Sequence, residues 1–218
     1  MKLISKERAV VAIKFVPDEI KPLKGYNLPT LLTAITERYE FAKPPSVQET
    51  QATGAKFQNG RLISGNINIA ELGVFNDAIS ATTTDTNDSE AVVKDLYGYL
   101  KETFGIREPS AKPVRGFQSE LVIEFKNNPD RAFKAFGPLI ALLQRETEAI
   151  NGIKKQVQFN RIDFASDPME SGPGAVFLIE RRAGISYAFN RYFCRAYMPT
   201  DAHIRALELL DKIFASKG

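Results

Sequence analysis

The segment Arg191-Tyr192-Phe193-Cys194-Arg195-Ala196-Tyr197-Met198 carries the most suggestive chemistry in this chain. In an extended strand successive side chains point to opposite faces. Arg191, Phe193, Arg195 and Tyr197 therefore share one face, and Tyr192, Cys194, Ala196 and Met198 share the other. The second set reads as a core face. The first interleaves guanidinium groups with aromatic rings, a pattern that neutralises phosphates while stacking bases on single-stranded nucleic acid. The same residue types also make protein interfaces rich in Arg and Tyr. Arg181 and Arg182, at the end of the preceding strand, join Arg191, Phe193, Arg195 and Tyr197 as the candidate ligand- or partner-binding residues.

Other reactive types are sparse. His203 is the only histidine and Cys194 the only cysteine. A Cys-His or Ser-His-Asp engine would need His203 beside its nucleophile. Cys194 falls on the core face, and His203 sits in a first helical turn after Thr200-Asp201, where the expectation is a solvated ring. One His and one Cys argue against a zinc site with nitrogen and sulfur ligands, and no metal, cofactor or catalytic residue is assigned. Glu124, Asp163 and Glu180 could meet on a sheet as a carboxylate-based hydrolase, yet nothing selects them from the other acids. The run from Thr82 to Ser89 reads as a strand end followed by a helix cap at Asp88 or Ser89. Gly172-Pro173-Gly174 lacks the Gly-Lys-Ser/Thr ending of a phosphate loop and reads as a plain turn in a 166–174 loop expected to be mobile.

The bulk composition sets the frame for these residues. The chain has 218 residues, 44% hydrophobic and 25% charged, with net charge +3, values ordinary for a globular protein. That charge permits a polyanion partner without arguing for one. A single cysteine rules out an intrachain disulfide and favours a reducing compartment. Neither an apolar leader nor a run of roughly 18 apolar residues is present, so the expectation is a cytoplasmic protein that does not enter a membrane.

The elements that must position the residues are read from periodicity. Val11, Ile13 and Phe15 alternate along a strand. Pro29 suits a helix first turn, and Leu28, Leu31, Leu32, Ile35 and Tyr39 give that helix an apolar stripe. Residues 51–57 read as a polar edge strand. Asn59-Gly60 reads as a hairpin turn, with Asn76-Asp77 as a second one. Val93, Leu96, Tyr97, Leu100 and Phe104 line a closing helix that ends at Gly105.

Residues 105–118 have two prolines and no periodicity and read as a linker. The plan then restarts: a strand over 121–125, a helical stretch from Asn128 broken near Gly137-Pro138, and strands over 157–164, 175–182 and 190–198. The 157–164 strand carries a bulge at Asn160-Arg161. The last helix turns Ile204, Leu207, Leu210 and Phe214 inward. Phe15 and Phe125, Pro29 and Pro138, and Asp88 and Asp201 recur at offsets of 110, 109 and 113 residues, the mark of a repeated unit.

The predicted fold is therefore α+β: a β-α-β-β-β-α unit duplicated with pseudo-twofold symmetry, its antiparallel sheet covered by four helices on one face. The units span 1–106 and 119–218, joined by a linker at 107–118. The predicted function is a non-enzymatic binding or assembly module using the open sheet face, with a protein partner or a second copy of the chain. Nucleic-acid binding is the alternative and a carboxylate hydrolase the second alternative.

Overall fold

A computed structural model describes residues 1–17, 19, 27–106, 108–154, 156–167, 169 and 176–216. The Lys21–Asn27 connector, apart from Asn27, and the Gly172-Pro173-Gly174 turn fall outside these residues. The described residues form a mixed α+β structure with five α-helices and eight antiparallel strands. They divide into two compact units, one made of Lys6–Glu120 with Tyr197–Thr200, the other of Met1–Ser5, Leu121–Ala196 and Asp201–Gly218. Strands β1 (Lys2–Lys14) and β5 (Val114–Glu124) each contribute to both units, and β5 begins inside the segment read as a linker.

The first unit contains α1 (Leu28–Arg38), α2 (Val47–Thr53), β2 (Ala55–Leu62), β3 (Ile67–Val74), β4 (Ala78–Thr83) and α3 (Thr86–Phe104). Its strand order is β2-β3-β4-β1-β5. Registry places Phe57, Leu72, Ala81 and Val11 in one row across four strands, and all four side chains are inaccessible to solvent. Leu31, Leu32 and Ile35 from α1 and Val92, Val93, Leu96 and Leu100 from α3 close the same core. Each such side chain contributes about 1.5–3 kcal/mol on burial. The two helices are tied by Asp95, which accepts hydrogen bonds from Arg38 Nη2 at 2.9 Å and from the Tyr39 hydroxyl at 2.6 Å.

Asp85, not Asp88 or Ser89, caps α3: its carboxylate accepts the Asn87 N–H at 2.9 Å. Ser89 turns inward instead, bonding the Thr83 hydroxyl at 2.9 Å and donating to the Ala9 carbonyl at 3.2 Å. The first N–H of α3, from Thr86, donates to the Thr200 hydroxyl at 3.1 Å, and the Thr200 N–H donates to the Thr86 hydroxyl at 2.8 Å. Gly105 ends the helix in the left-handed region, as its type requires.

Two stretches depart from the expected strand and hairpin. Residues 47–53 are a helix capped by a Ser46–Glu49 capping box, so β2 starts only at Ala55. Asn59-Gly60 lies inside β2, and the turn into β3 is a short 3₁₀ segment over Ile63–Gly65 closed by left-handed Asn66. Asn59 does adopt φ 57°, but Gly60 is needed for space: a Cβ there would meet the Phe41 ring at 2.3 Å and the Tyr39 carbonyl at 2.8 Å. Asn76-Asp77 is a tight turn, with the Phe75 N–H donating to the Ala78 carbonyl at 2.8 Å.

The second unit contains α4 (Gly137–Asn151), β6 (Arg161–Ala165), β7 (Val176–Arg181), β8 (Arg191–Ala196) and α5 (Thr200–Ser216), and its strand order is β1-β5-β8-β7-β6. Ile162, Ile179 and Cys194 form a row across three strands. Around it lie Leu121, Ile123, Phe125, Leu207 and Phe214, with Phe125 edge-on to Phe214 at 5.2 Å.

The helical stretch after Asn128 is a 3₁₀ segment over Pro129–Phe136 that gives way to α4 at Gly137, with Pro138 in its first turn. No residue of α4 is buried, so this helix does not cover the sheet as expected. The expected strand from Val157 shrinks to β6. The preceding residues are engaged otherwise, the Phe159 ring stacking on Phe133 at 4.0 Å. Among the described residues, no helix is long and apolar enough to cross a membrane.

Candidate partner-binding sheet face

β8 alternates as its sequence requires. Tyr192, Cys194 and Ala196 are buried, while Arg191, Phe193 and Arg195 stand half-exposed on the outer face. The registers of β6, β7 and β8 show what surrounds them. Glu180 lies opposite Phe193, Leu178 opposite Arg195, Arg161 opposite Glu180 and Asp163 opposite Leu178. Directly opposed residues share a face, so Arg161, Asp163, Leu178 and Glu180 belong to the same surface as the β8 residues. β5 adds Glu124, whose Oε2 lies 3.3 Å from Arg191 Nη2.

The resulting surface is a charge mosaic. Arg161 Nε donates to Asp163 at 2.7 Å, and the Arg195 guanidinium sits 5.6 Å from the centroid of the Phe193 ring. Arg161, Arg191 and Arg195 thus stand among Glu124, Asp163 and Glu180. Leu178, opposite Arg195 and Asp163 on this face, is only 6% exposed. The three acids considered for a hydrolase do gather on one sheet face. Glu124 and Asp163, however, are each in an ion pair with an arginine.

Arg181 does not belong to this face. Its β7 position is opposite Tyr192, which turns it to the core side, where its side chain is 3% exposed. Arg181 Nη2 donates to the two Asp130 carboxylate oxygens at 2.9 and 3.0 Å and Nε donates to the Phe159 carbonyl at 2.8 Å. The guanidinium also lies over the Tyr187 ring at 4.4 Å. This arginine is a tie between β7, the 3₁₀ segment and the chain before β6. Arg182 is exposed just past β7, its N–H donating to the Arg191 carbonyl at 3.0 Å. Tyr197 lies past β8, 48% exposed, and belongs to the first unit.

Cys194 and His203 are both core residues. Burial pushes the Cys194 thiol well above its ordinary pKa, the opposite of what a thiolate nucleophile needs. His203 is fully buried, with its ring edge-on to Phe177 at 5.6 Å, and burial lowers its pKa to about 4. The expected solvated position is wrong because α5 places His203, Leu207, Leu210 and Phe214 at helical spacings of four, three and four, on one stripe. Among the described residues, no group of three or more His, Cys, Asp or Glu side chains could hold a metal ion.

That Glu124, Asp163 and Glu180 could meet on a sheet was legible, but their place around Arg191 and Arg195 was not. Nor was the side taken by Arg181, because it depends on where β7 pairs with β8. No protein-family model matches this chain, and no curated protein matches it by sequence.

Proposed function

We propose that the chain is a non-enzymatic assembly module that associates with a second copy of itself through the outer face of β5, β8, β7 and β6. The observation that supports this most is the interleaving of Arg161, Arg191 and Arg195 with Glu124, Asp163 and Glu180 around Phe193. A twofold interface sets one patch against itself, so a surface carrying both signs in alternation can complement its own copy. Aromatic and arginine side chains at the centre suit the well-packed part of such an interface. A β-α-β-β-β-α unit used twice fits this reading. Apart from α2, which has no counterpart after β5, the α-helices and strands follow in the same order, and the strand orders β2-β3-β4-β1 and β6-β7-β8-β5 correspond. The lone buried Cys194 suits a reducing, cytoplasmic setting.

Nucleic-acid binding has one observation in its favour, the Arg195 guanidinium over the Phe193 ring, and the acids on the same face weigh against it. Size-exclusion chromatography with light scattering tests the preferred reading. The expected result is a dimer at micromolar concentration that Arg191→Glu with Arg195→Glu converts to monomer. A monomer at high micromolar concentration overturns self-association. Salt-sensitive binding of a labelled single strand by a monomeric protein would select the nucleic-acid reading in its place.

A further inference from the structure

We propose that the groove between α3 and the Glu108–Arg115 segment of the first unit is a binding site for a small aromatic carboxylate. The groove encloses about 310 Å³, at the lower end of the range of small-molecule sites. Its floor is apolar: Phe15 and Tyr97 stack with ring centroids 5.6 Å apart and planes 13° from parallel, and Val93 lies one helical turn before Tyr97. Pro109 and Pro113 also line the groove. The Phe15–Tyr97 stack and the two proline rings give the groove an apolar lining that suits a flat apolar body.

The charges at its mouth set the polarity of the ligand. Both acids there are already matched, Glu90 to Arg115 and Glu108 to Lys101. Lys94 and Lys112 also line the groove, and neither has an ion-pair partner among the described residues. Two uncommitted lysines on a groove lined by stacked aromatic rings call for an anionic head on an aromatic body. A carboxylate supplies that head at single charge, and flexible lysine stems can adapt to it. This site is separate from the sheet face proposed for assembly and does not depend on it.

The test is a titration of the ¹⁵N-labelled full chain with sodium 2-naphthoate, with 2-naphthol as the uncharged comparison. Saturating shifts of the amides from Val93 to Tyr97 and around Lys112 are expected with naphthoate, and affinity about tenfold weaker with naphthol. Each lysine, Lys94→Gln or Lys112→Gln, is expected to cost about threefold in naphthoate affinity, the scale of exposed charge pairs. The double variant should bind naphthoate no better than naphthol. Both substitutions are on the surface, and the same spectra show that the fold is intact. Equal affinity for naphthoate and naphthol, shifts centred elsewhere, or no shifts at millimolar ligand would each overturn the proposal.

Discussion

Replacing Arg181 separates a structural arginine from a surface arginine in a single measurement. Arg181→Met keeps the length and apolar stem of the side chain and removes the guanidinium. The Asp130 carboxylate then loses both of its close contacts, at 2.9 and 3.0 Å, and the Phe159 carbonyl loses a donor at 2.8 Å. Removing one partner of a buried ion pair costs about 3–5 kcal/mol. Asp130 retains 29% side-chain exposure, so water can solvate part of the abandoned charge and the lower end of that range applies. The expected loss is about 3 kcal/mol, a shift of roughly 150-fold in the folding equilibrium.

Urea unfolding followed by far-ultraviolet circular dichroism measures this loss. Arg191→Ala serves as the comparison: its Nη2 is 3.3 Å from Glu124 on the half-exposed outer face, a geometry worth about 0–1 kcal/mol. Adding Asp130→Asn to Arg181→Met should restore part of the loss, since no carboxylate is then left unpaired. A loss below about 0.5 kcal/mol for Arg181→Met would refute the reasoning. So would equal losses for Arg181→Met and Arg191→Ala.

Two further outcomes are expected. His203 is neutral in the fold with a pKa of about 4, whereas an unfolded histidine titrates near 6.5. Between these values the unfolded chain binds the extra proton, so stability rises with pH over this window and is lost as pH falls through it. The loss reaches roughly 3 kcal/mol by pH 4, and His203→Gln should remove that component from a pH series of urea midpoints. An unchanged slope would assign the pH dependence to other groups.

Gly60→Ala should destabilise by about 1–3 kcal/mol through overpacking against Phe41 and the Tyr39 carbonyl. Gly98→Ala, inside α3 with nothing within 4 Å of the added methyl, should stabilise by about 0.5–1 kcal/mol. Thermal melts giving the same sign for both would refute this account.

What could be read from the residues, and what could not, follows from the range of the interactions involved. Leu31, Leu32 and Ile35, like Val93, Leu96 and Leu100, form stripes whose period alone specifies both helix and buried face, and α1 and α3 carry them. Arg191, Phe193 and Arg195 were separable from Tyr192 and Cys194 for the same local reason. Asn59-Gly60 misled because a left-handed residue and a missing side chain serve a hairpin and a crowded strand equally well. Here the missing side chain makes room for the Phe41 ring and the Tyr39 carbonyl, which the local sequence does not reveal. Arg181 and His203 were misplaced because their surroundings come from Asp130 and Phe177, set by strand pairing and helix phase together.

The exchange of hydrogen bonds between Thr86 and Thr200 has a consequence for the order in which a newly made chain can complete itself. The N-terminal residue of α3 relies on a hydroxyl that lies 114 residues further along. At a synthesis rate of about 5–20 residues per second, Thr200 is joined to the chain roughly 6–23 s after Thr86. The second unit likewise combines Met1–Ser5 with residues as late as α5. Neither unit can therefore finish on the ribosome from its early residues alone. Val92, Val93 and Leu96 pack within a core whose members end at Ile106, so in the nascent chain α3 can dock on its core while its first turn still waits for Thr200, an interval in which a chaperone has time to act.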